Sequence, residues 1–348
     1  MSQGTGVKSL CTSLICAAFF ISGLSQTTGK QVLRFVFYNT ENFFDIHDDS
    51  LKQDNEFLPH GLMKWNAERY KDKVNAVYKV LIAAGEWDTP AIAGFCEIEK
   101  KSVLYDLLNT TYLGKNRYGI IHEESEDLRG IDVCLIYRKD LLKLIEYKYI
   151  KPINIGQREY RTRRVLYSKW SVDYDTIHLF LNHWPSRRGG VLSEESLRKS
   201  IAEMIKSRVD SLLISSSGTA KIIIAGDFNC SPDDPEIMIL TGNRYRNPSN
   251  EVPDLVNLSE VSSGNGKGTY KYQGRWEMLD QVIVSQSLVN CKKGLFTTRS
   301  SFHIFNRDFL LEKDPVYPGL MPFSTYRGYR YHGGFSDHLP VILDISRF

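Results

Sequence analysis

Short runs of β-branched and aromatic residues recur along this chain, and most of them stop at a polar group. Residues 31–38 (QVLRFVFY) read as a strand by composition and run into Asn39-Thr40-Glu41-Asn42. The apolar run 90–96 breaks off at Glu97-Ile98-Glu99, the run 177–181 at Asn182-His183, and the run 221–225 at Gly226-Asp227-Phe228-Asn229. Residues 131–137 form another strand-like run, closed by a charged turn at Arg138-Lys139-Asp140. Twice the order is reversed: Asp280 stands directly before the run 281–284, and Asp337-His338 before the run 341–345. A different period governs residues 66–84, where Tyr70, Val74, Val77 and Leu81 share one helical face and Gly85 suits a C-terminal cap. Ser193 can cap a helix reaching residue 213, with Leu197, Ile201, Met204, Ile205 and Leu212 on its buried side. The tract 215–218 (SSSG) then reads as a helix-to-strand turn, and residues 299–334, rich in Tyr, Arg, Gly and Pro, as a long functional loop. Strand and helix patterns mix along the whole length without a linker or fixed repeat, which predicts one α/β or α+β domain over residues 26–348.

Composition changes this picture mainly at the N-terminus. Lys8 precedes a short apolar run over residues 10–24, and Gly23-Leu24-Ser25 offers the small residues that a signal peptidase requires. Residues 1–25 are therefore expected to be a signal peptide, whose loss removes Lys8 and lowers the net charge from +3 to +2. No other stretch is long and apolar enough to cross a bilayer. The expectation is an exported protein, periplasmic or extracellular, without stable membrane insertion and monomeric. No C-x-x-C pair occurs among the six cysteines, so neither a zinc ribbon nor a disulfide scaffold is indicated. At a length of 348 residues and 42% hydrophobic content, the chain can bury a large core without such staples.

The polar groups at the strand ends share a chemistry. They are carboxylates and Asn amides with two histidines, and oxygen-rich sets of this kind suit hard cations, Mg²⁺, Mn²⁺ or Ca²⁺, rather than zinc. A histidine base and donors for developing negative charge complete what metal-assisted phosphoester hydrolysis needs. Arg158, Arg161, Arg163 and Arg164 cluster in one stretch, Arg187-Arg188 follow His183, and Arg327 and Arg330 precede the last motif. Guanidinium forks suit phosphate recognition, and Arg163, Arg164, Arg187 and Arg188 are the candidates nearest the motifs. Trp276, Tyr326, Tyr329 and Tyr331 could stack on bases or sugar rings or anchor the loops.

Six of these segments, in order, resemble the endonuclease/exonuclease/phosphatase superfamily. They are Asn39-Thr40-Glu41-Asn42, Gly94-Phe95-Cys96-Glu97-Ile98, Leu181-Asn182-His183, Gly226-Asp227-Phe228-Asn229, Leu279-Asp280-Gln281-Val282-Ile283 and Ser336-Asp337-His338-Leu339-Pro340-Val341. The resemblance implies a four-layer sandwich, two packed mixed β-sheets flanked by helices, as in deoxyribonuclease I. It implies Glu97 as principal metal ligand, supported by Asn39 and Asp337, with Glu41 where some members carry a second acidic ligand. His338 matches the general base and Asp280 the carboxylate that orients it. Asp227 and Asn229 match the pair that positions nucleophile and phosphate, and His183 a donor to the phosphate. The segments at 39–45 and 182–190 look most like secreted bacterial nucleases, although Trp184-Pro185-Ser186-Arg187-Arg188 departs from their usual residues. The expected function is an exported, metal-dependent phosphodiesterase acting on DNA or RNA. The alternatives are an inositol-phosphate phosphatase or sphingomyelinase-like enzyme, and a binding protein of the same fold without catalysis. No protein partner is implied.

Overall fold

The computed structural model describes, besides Met1, residues 30–86, 88–152, 161–187, 191–242, 254–260 and 266–348. The expected signal peptide, Arg158 and Arg188 lie outside the described residues.

In chain order the strands are β1 (Lys30–Phe43), β2 (Ile92–Ile98), β3 (Tyr118–Ile121), β4 (Asp132–Arg138), β5 (Lys143–Ile150), β6 (Val165–Val172), β7 (Asp175–His183), β8 (Lys221–Asp227), β9 (Leu255–Asn257), β10 (Tyr270–Tyr272), β11 (Arg275–Glu277) and β12 (Asp280–Ser285). The C-terminal part adds β13 (Leu295–Phe296), β14 (Phe302–Ile304), β15 (Leu311–Lys313), β16 (Leu320–Pro322), β17 (Tyr326–Arg327), β18 (Arg330–Tyr331) and β19 (Val341–Arg347). The helices that flank the sheets are α1 (Ala67–Gly85), α2 (Lys101–Asn109), α3 (Val191–Ser215) and α4 (Pro235–Thr241).

One mixed sheet runs β13-β19-β1-β2-β4-β3, with β14 also on β19; the other runs β5-β6-β7-β8-β12-β9. The parallel pairs β1–β2 and β7–β8 sit at their centres. The central strands of both sheets are buried on both faces, which explains their near-continuous apolar runs. On β1, Leu33, Phe35 and Phe37 point between the sheets, where they meet Leu179 and Leu181 of β7 and Ile223 of β8. The alternate residues Val36 and Tyr38 point outward to Val74, Val77 and Leu81 of α1. On the far side, Phe180, Ile222 and Ile224 pack against Leu197, Ile201 and Ile205 of α3. The result is four layers, helix–sheet–sheet–helix, as expected from the resemblance.

Local chemistry accounts for the element ends. Asn66 caps α1, its side chain accepting the amides of Glu68 and Arg69. Gly85 lies inside that helix rather than beyond it, and Glu86 takes the capping position with φ 61°. The helix expected from residue 193 begins at Val191. The stretch expected to be a long loop, 299–334, is instead built from short strands, including the hairpins β15–β16 and β17–β18. Its many Gly and Pro residues mark tight turns between two- and three-residue strands, too short to leave an alternating pattern. Cys96, Cys134 and Cys230 are buried thiols, and none of the four cysteines among the described residues is bridged.

Candidate active site

The central strands of the two sheets end on the same side, and their polar termini meet there. β1 brings Asn39, β2 brings Glu97, β7 brings His183 and β8 brings Asp227 with Asn229 just beyond it. Asp280 opens the antiparallel neighbour β12, directly opposite Asp227. Asp337 and His338 arrive on the segment before β19. All of these but the fully buried Asp280 border an open cleft of about 450 Å³ whose lining includes Asn39, Glu97, His183, Asp227, Asp337 and His338.

The strand ends are bent into place. Glu41, Asn42, Glu97 and Asn229 all have positive φ, near 50–60°, and are four of the ten non-glycine residues in that state among the described residues. Side-chain-bearing residues reach this region only when surrounding contacts hold them there. Gly226 is required for a related reason: at φ 152° it passes so close to β7 that a Cβ would lie 2.2 Å from the Asn182 carbonyl oxygen.

The contacts define two linked groups. His338 Nδ1 lies 2.6 Å from Asp280 Oδ2, which fixes the tautomer with Nδ1–H donating to the carboxylate. The other ring nitrogen, Nε2, stands 3.9 Å from Asp227 Oδ2. Asp227 in turn accepts from Asn39 Nδ2 at 3.0 Å and from the Asn229 amide at 2.9 Å. His183 Nε2 is 3.7 Å from Asp227 Oδ2 and 3.8 Å from Glu97 Oε1, while Glu97 Oε2 accepts the Asn42 amide at 2.8 Å. Burial disfavours a charged His338, but Asp280 and Asp227 outweigh it and hold the imidazole well above the usual histidine range. Burial, with Arg163 and Arg129 nearby, pushes His183 well below that range. Burial also pushes Asp227 up to about 7, Asp280 adding to the effect and His338 opposing it.

Other expected residues take different places. Glu41 directs both oxygens to backbone amides, Thr325 N at 2.6 Å and Tyr326 N at 3.0 Å, and does not line the cleft. Arg163 is buried, bonded to Asp127 Oδ2 at 2.7 Å and the Trp184 carbonyl at 2.8 Å, so its fork is spent inside the protein. Arg164 is held by Glu126 through two bonds. Neither arginine is among the residues that line the cleft. Arg187 does line the cleft, bonded to the Asn229 carbonyl at 3.0 Å and paired with Asp234. Tyr326 and Tyr331 pack with Phe57 and Trp65 in a small aromatic cluster, Trp276 lies away from the cleft, and Asn182 is satisfied inside the sheet.

Sequence reasoning passed over Arg129, Tyr270, Tyr272 and Glu277, which line the same cleft. Tyr270 lays its ring 4.8 Å from that of His338. The β10–β11 hairpin that carries both tyrosines turns on Gln273-Gly274, both with positive φ, and that dipeptide just before Asp280 was the available signal. Arg129 sits on the β3–β4 connection, in no recognisable motif.

The sequence profile described as "Endonuclease/Exonuclease/phosphatase family" matches residues 34–347. The chain belongs to that family. It is accordingly a metal-dependent phosphoric ester hydrolase of deoxyribonuclease I-like fold. Among solved structures it is similar to the mannosyl-6-phosphatase Bt3783 of Bacteroides thetaiotaomicron, with 14% identity, 90% of this chain and 99% of that one covered, and TM-score 0.55. It is likewise similar to the catalytic domain of human nocturnin, with 14% identity, coverages of 91% and 94%, and TM-score 0.52. A third, D. rerio TDP2 complexed with a single-strand DNA product, gives 13% identity, coverages of 90% and 98%, and TM-score 0.51. At these identities the likeness concerns the fold. No curated protein matches the chain by sequence.

The donor set fits a divalent cation. Glu97 and Asp337 converge with the Asn39 amide in one cleft, and Asp227 beside them is pushed by burial toward its neutral form, which a nearby cation would oppose. Oxygen donors of this kind favour hard cations.

Proposed function

We propose that this protein is an exported phosphodiesterase of nuclease type, using Mg²⁺ or Mn²⁺, with Ca²⁺ as a third candidate. The observation that carries the reading is the His338–Asp280 pair at 2.6 Å, opening onto the same cleft as Glu97, Asn39 and Asp227. Glu97, Asn39 and Asp337 would hold the cation, which supplies charge neutralisation at the phosphate and leaving oxygens. His338 Nε2 takes the proton of the attacking water as oxygen bonds to phosphorus, and Asp280 stabilises the imidazolium that forms. Asp227, held by Asn39 and the Asn229 amide, accepts a hydrogen bond from that water and orients it. His183, neutral and buried, offers Nε2–H to the phosphate as the ester oxygen leaves. Arg129 and Arg187 stand at the rim as cations for flanking phosphate, and Tyr270 and Tyr272 provide faces for a base or sugar. The apolar run at residues 10–24 supports export.

A second reading is favoured by Glu277. A carboxylate on the cleft wall repels a polyphosphate backbone and accepts hydrogen bonds from sugar or inositol hydroxyls. It makes the substrate a phosphomonoester of a polyol. The two are separated by incubating the purified protein with DNA, RNA, bis-p-nitrophenyl phosphate, inositol phosphates, sugar monophosphates and sphingomyelin, with each cation and with chelator. Nucleic-acid cleavage that needs the cation supports the first reading; hydrolysis of polyol phosphates alone replaces it with the second.

A further inference from the structure

Two buried charges outside the cleft both grip Thr325. Lys73, on the buried side of α1, is 1% exposed and donates to Thr325 Oγ1 at 2.6 Å and to the Phe335 carbonyl at 2.7 Å. Glu41, just past Asn39 on β1, accepts the amides of Thr325 and Tyr326. An ammonium and a carboxylate so deeply placed are kept only with partners, and here all four bonds fall on the segment that leads to Asp337 and His338.

That segment closes on Thr325. Its carbonyl accepts the amides of His332 and Gly333, and Phe335 N bonds back to Phe323 O at 2.6 Å. Gly334 runs so tightly against it that a Cβ would stand 2.2 Å from the Phe323 carbonyl oxygen. Ser336, just after Phe335, donates to the Asn39 carbonyl at 2.7 Å and accepts the His338 amide at 3.1 Å. The chain of contacts thus runs from α1 and β1, through Thr325 and Phe335, to the residues that border the cleft. Lys73 also exerts its charge on Glu41, Asp337 and Glu97, so a fixed cation stands behind the carboxylates.

We infer that Glu41 and Lys73 are positioning residues, a buried clamp on Thr325 that holds Asp337 and His338 in register with Asn39 and Glu97. Glu41 acts through the backbone it binds. The inference rests on the functional reading above for its kinetic consequence, but its structural part stands on cation binding alone.

The test compares Lys73→Met, Glu41→Gln and Thr325→Val with Val77→Ala, a core change on the same helix. Three quantities are read: kcat and KM on bis-p-nitrophenyl phosphate at saturating Mn²⁺, and the Mn²⁺ concentration at the midpoint of thermal stabilisation. The clamp requires kcat to fall about tenfold or more in Lys73→Met and Glu41→Gln, and the Mn²⁺ midpoint to rise about tenfold, as for residues that orient ligands. KM should stay within about twofold, since substrate contacts are untouched. Variants that melt earlier but match Val77→Ala in kcat and Mn²⁺ midpoint would overturn the inference. If Lys73→Met does not fold, Thr325→Val decides, because it removes one hydroxyl acceptor; an unchanged midpoint and kcat there overturns the clamp. Wild type inactive on every phosphoester defeats the functional reading, and the Mn²⁺ midpoints then judge the clamp by themselves.

Discussion

His338 donates through Nδ1 to Asp280 Oδ2 at 2.6 Å, although the two stand 58 positions apart in the chain. Asp337, its sequence neighbour, borders the cleft beside it but is not its carboxylate partner. The bond leaves Nε2 to face Asp227 and the cleft, the arrangement a general base needs.

Replacing that carboxylate should cost both rate and basicity. Asp280→Asn is expected to lower kcat/KM by about 10²–10⁴, the range for losing the partner of a catalytic histidine. Asp280 raises the His338 pKa, so the acidic limb of the pH–rate profile should move to lower pH in the variant. A limb that stays in place or moves up would show that another group is the base.

Chelation should abolish activity, and Mg²⁺ or Mn²⁺ should restore it. Glu97→Gln should then need a higher cation concentration for the same thermal stabilisation, by about tenfold or more. Isothermal titration with Mn²⁺ reads the same loss without turnover.

Arg163 and Arg129 should separate cleanly. Removing Arg163 takes the buried guanidinium from Asp127 Oδ2, so that the carboxylate keeps only the Arg129 amide on its other oxygen, and takes one of two donors from the Trp184 carbonyl. Arg163→Met should therefore destabilise by about 3–5 kcal/mol in urea unfolding. Arg129→Ala, at a half-exposed position on the cleft, should leave stability almost unchanged and raise KM for a polyanionic substrate.

Acid sensitivity should have an identifiable contributor in His178. Burial, with Lys169 nearby, pushes it down to about 4, and its Nδ1 sits 2.9 Å from Tyr167 Oη. Because the folded state resists protonation, its stabilising contribution is present above the unfolded pKa of about 6.5 and is lost as pH falls toward 4. His178→Gln should therefore show a shallower loss of melting temperature than wild type between those values.

Much of the architecture was legible because the central strands of both sheets are covered on both faces. Continuous apolar runs such as residues 31–38 and 221–225 stand out, and their polar ends mark where the strands stop. The helix α1 was visible from the spacing of Val74, Val77 and Leu81. Among the longer elements that escaped are β5, β6 and α2, and the reason is local. β5 is half exposed and carries charges, β6 mixes Ser and Lys with its apolar residues, and α2 is only nine residues long. Neither period repeats often enough there to be read.

For the site, the sequence by itself determined which residue types end the strands, and therefore a carboxylate, amide and imidazole chemistry suited to a hard cation. Residue types alone could not assign partners, because a strand end becomes a site only when other strands end beside it; only the family resemblance coupled His338 to Asp280. Tertiary structure alone decided that Arg163 spends its fork on Asp127 and that Glu41 turns from the cleft to the Thr325 amide, while it brought together the His338–Asp280 pair that the family resemblance implied. Each choice follows from burial: a charge removed from water takes whichever partner the fold brings within hydrogen-bond distance, and that distance is not written along the chain.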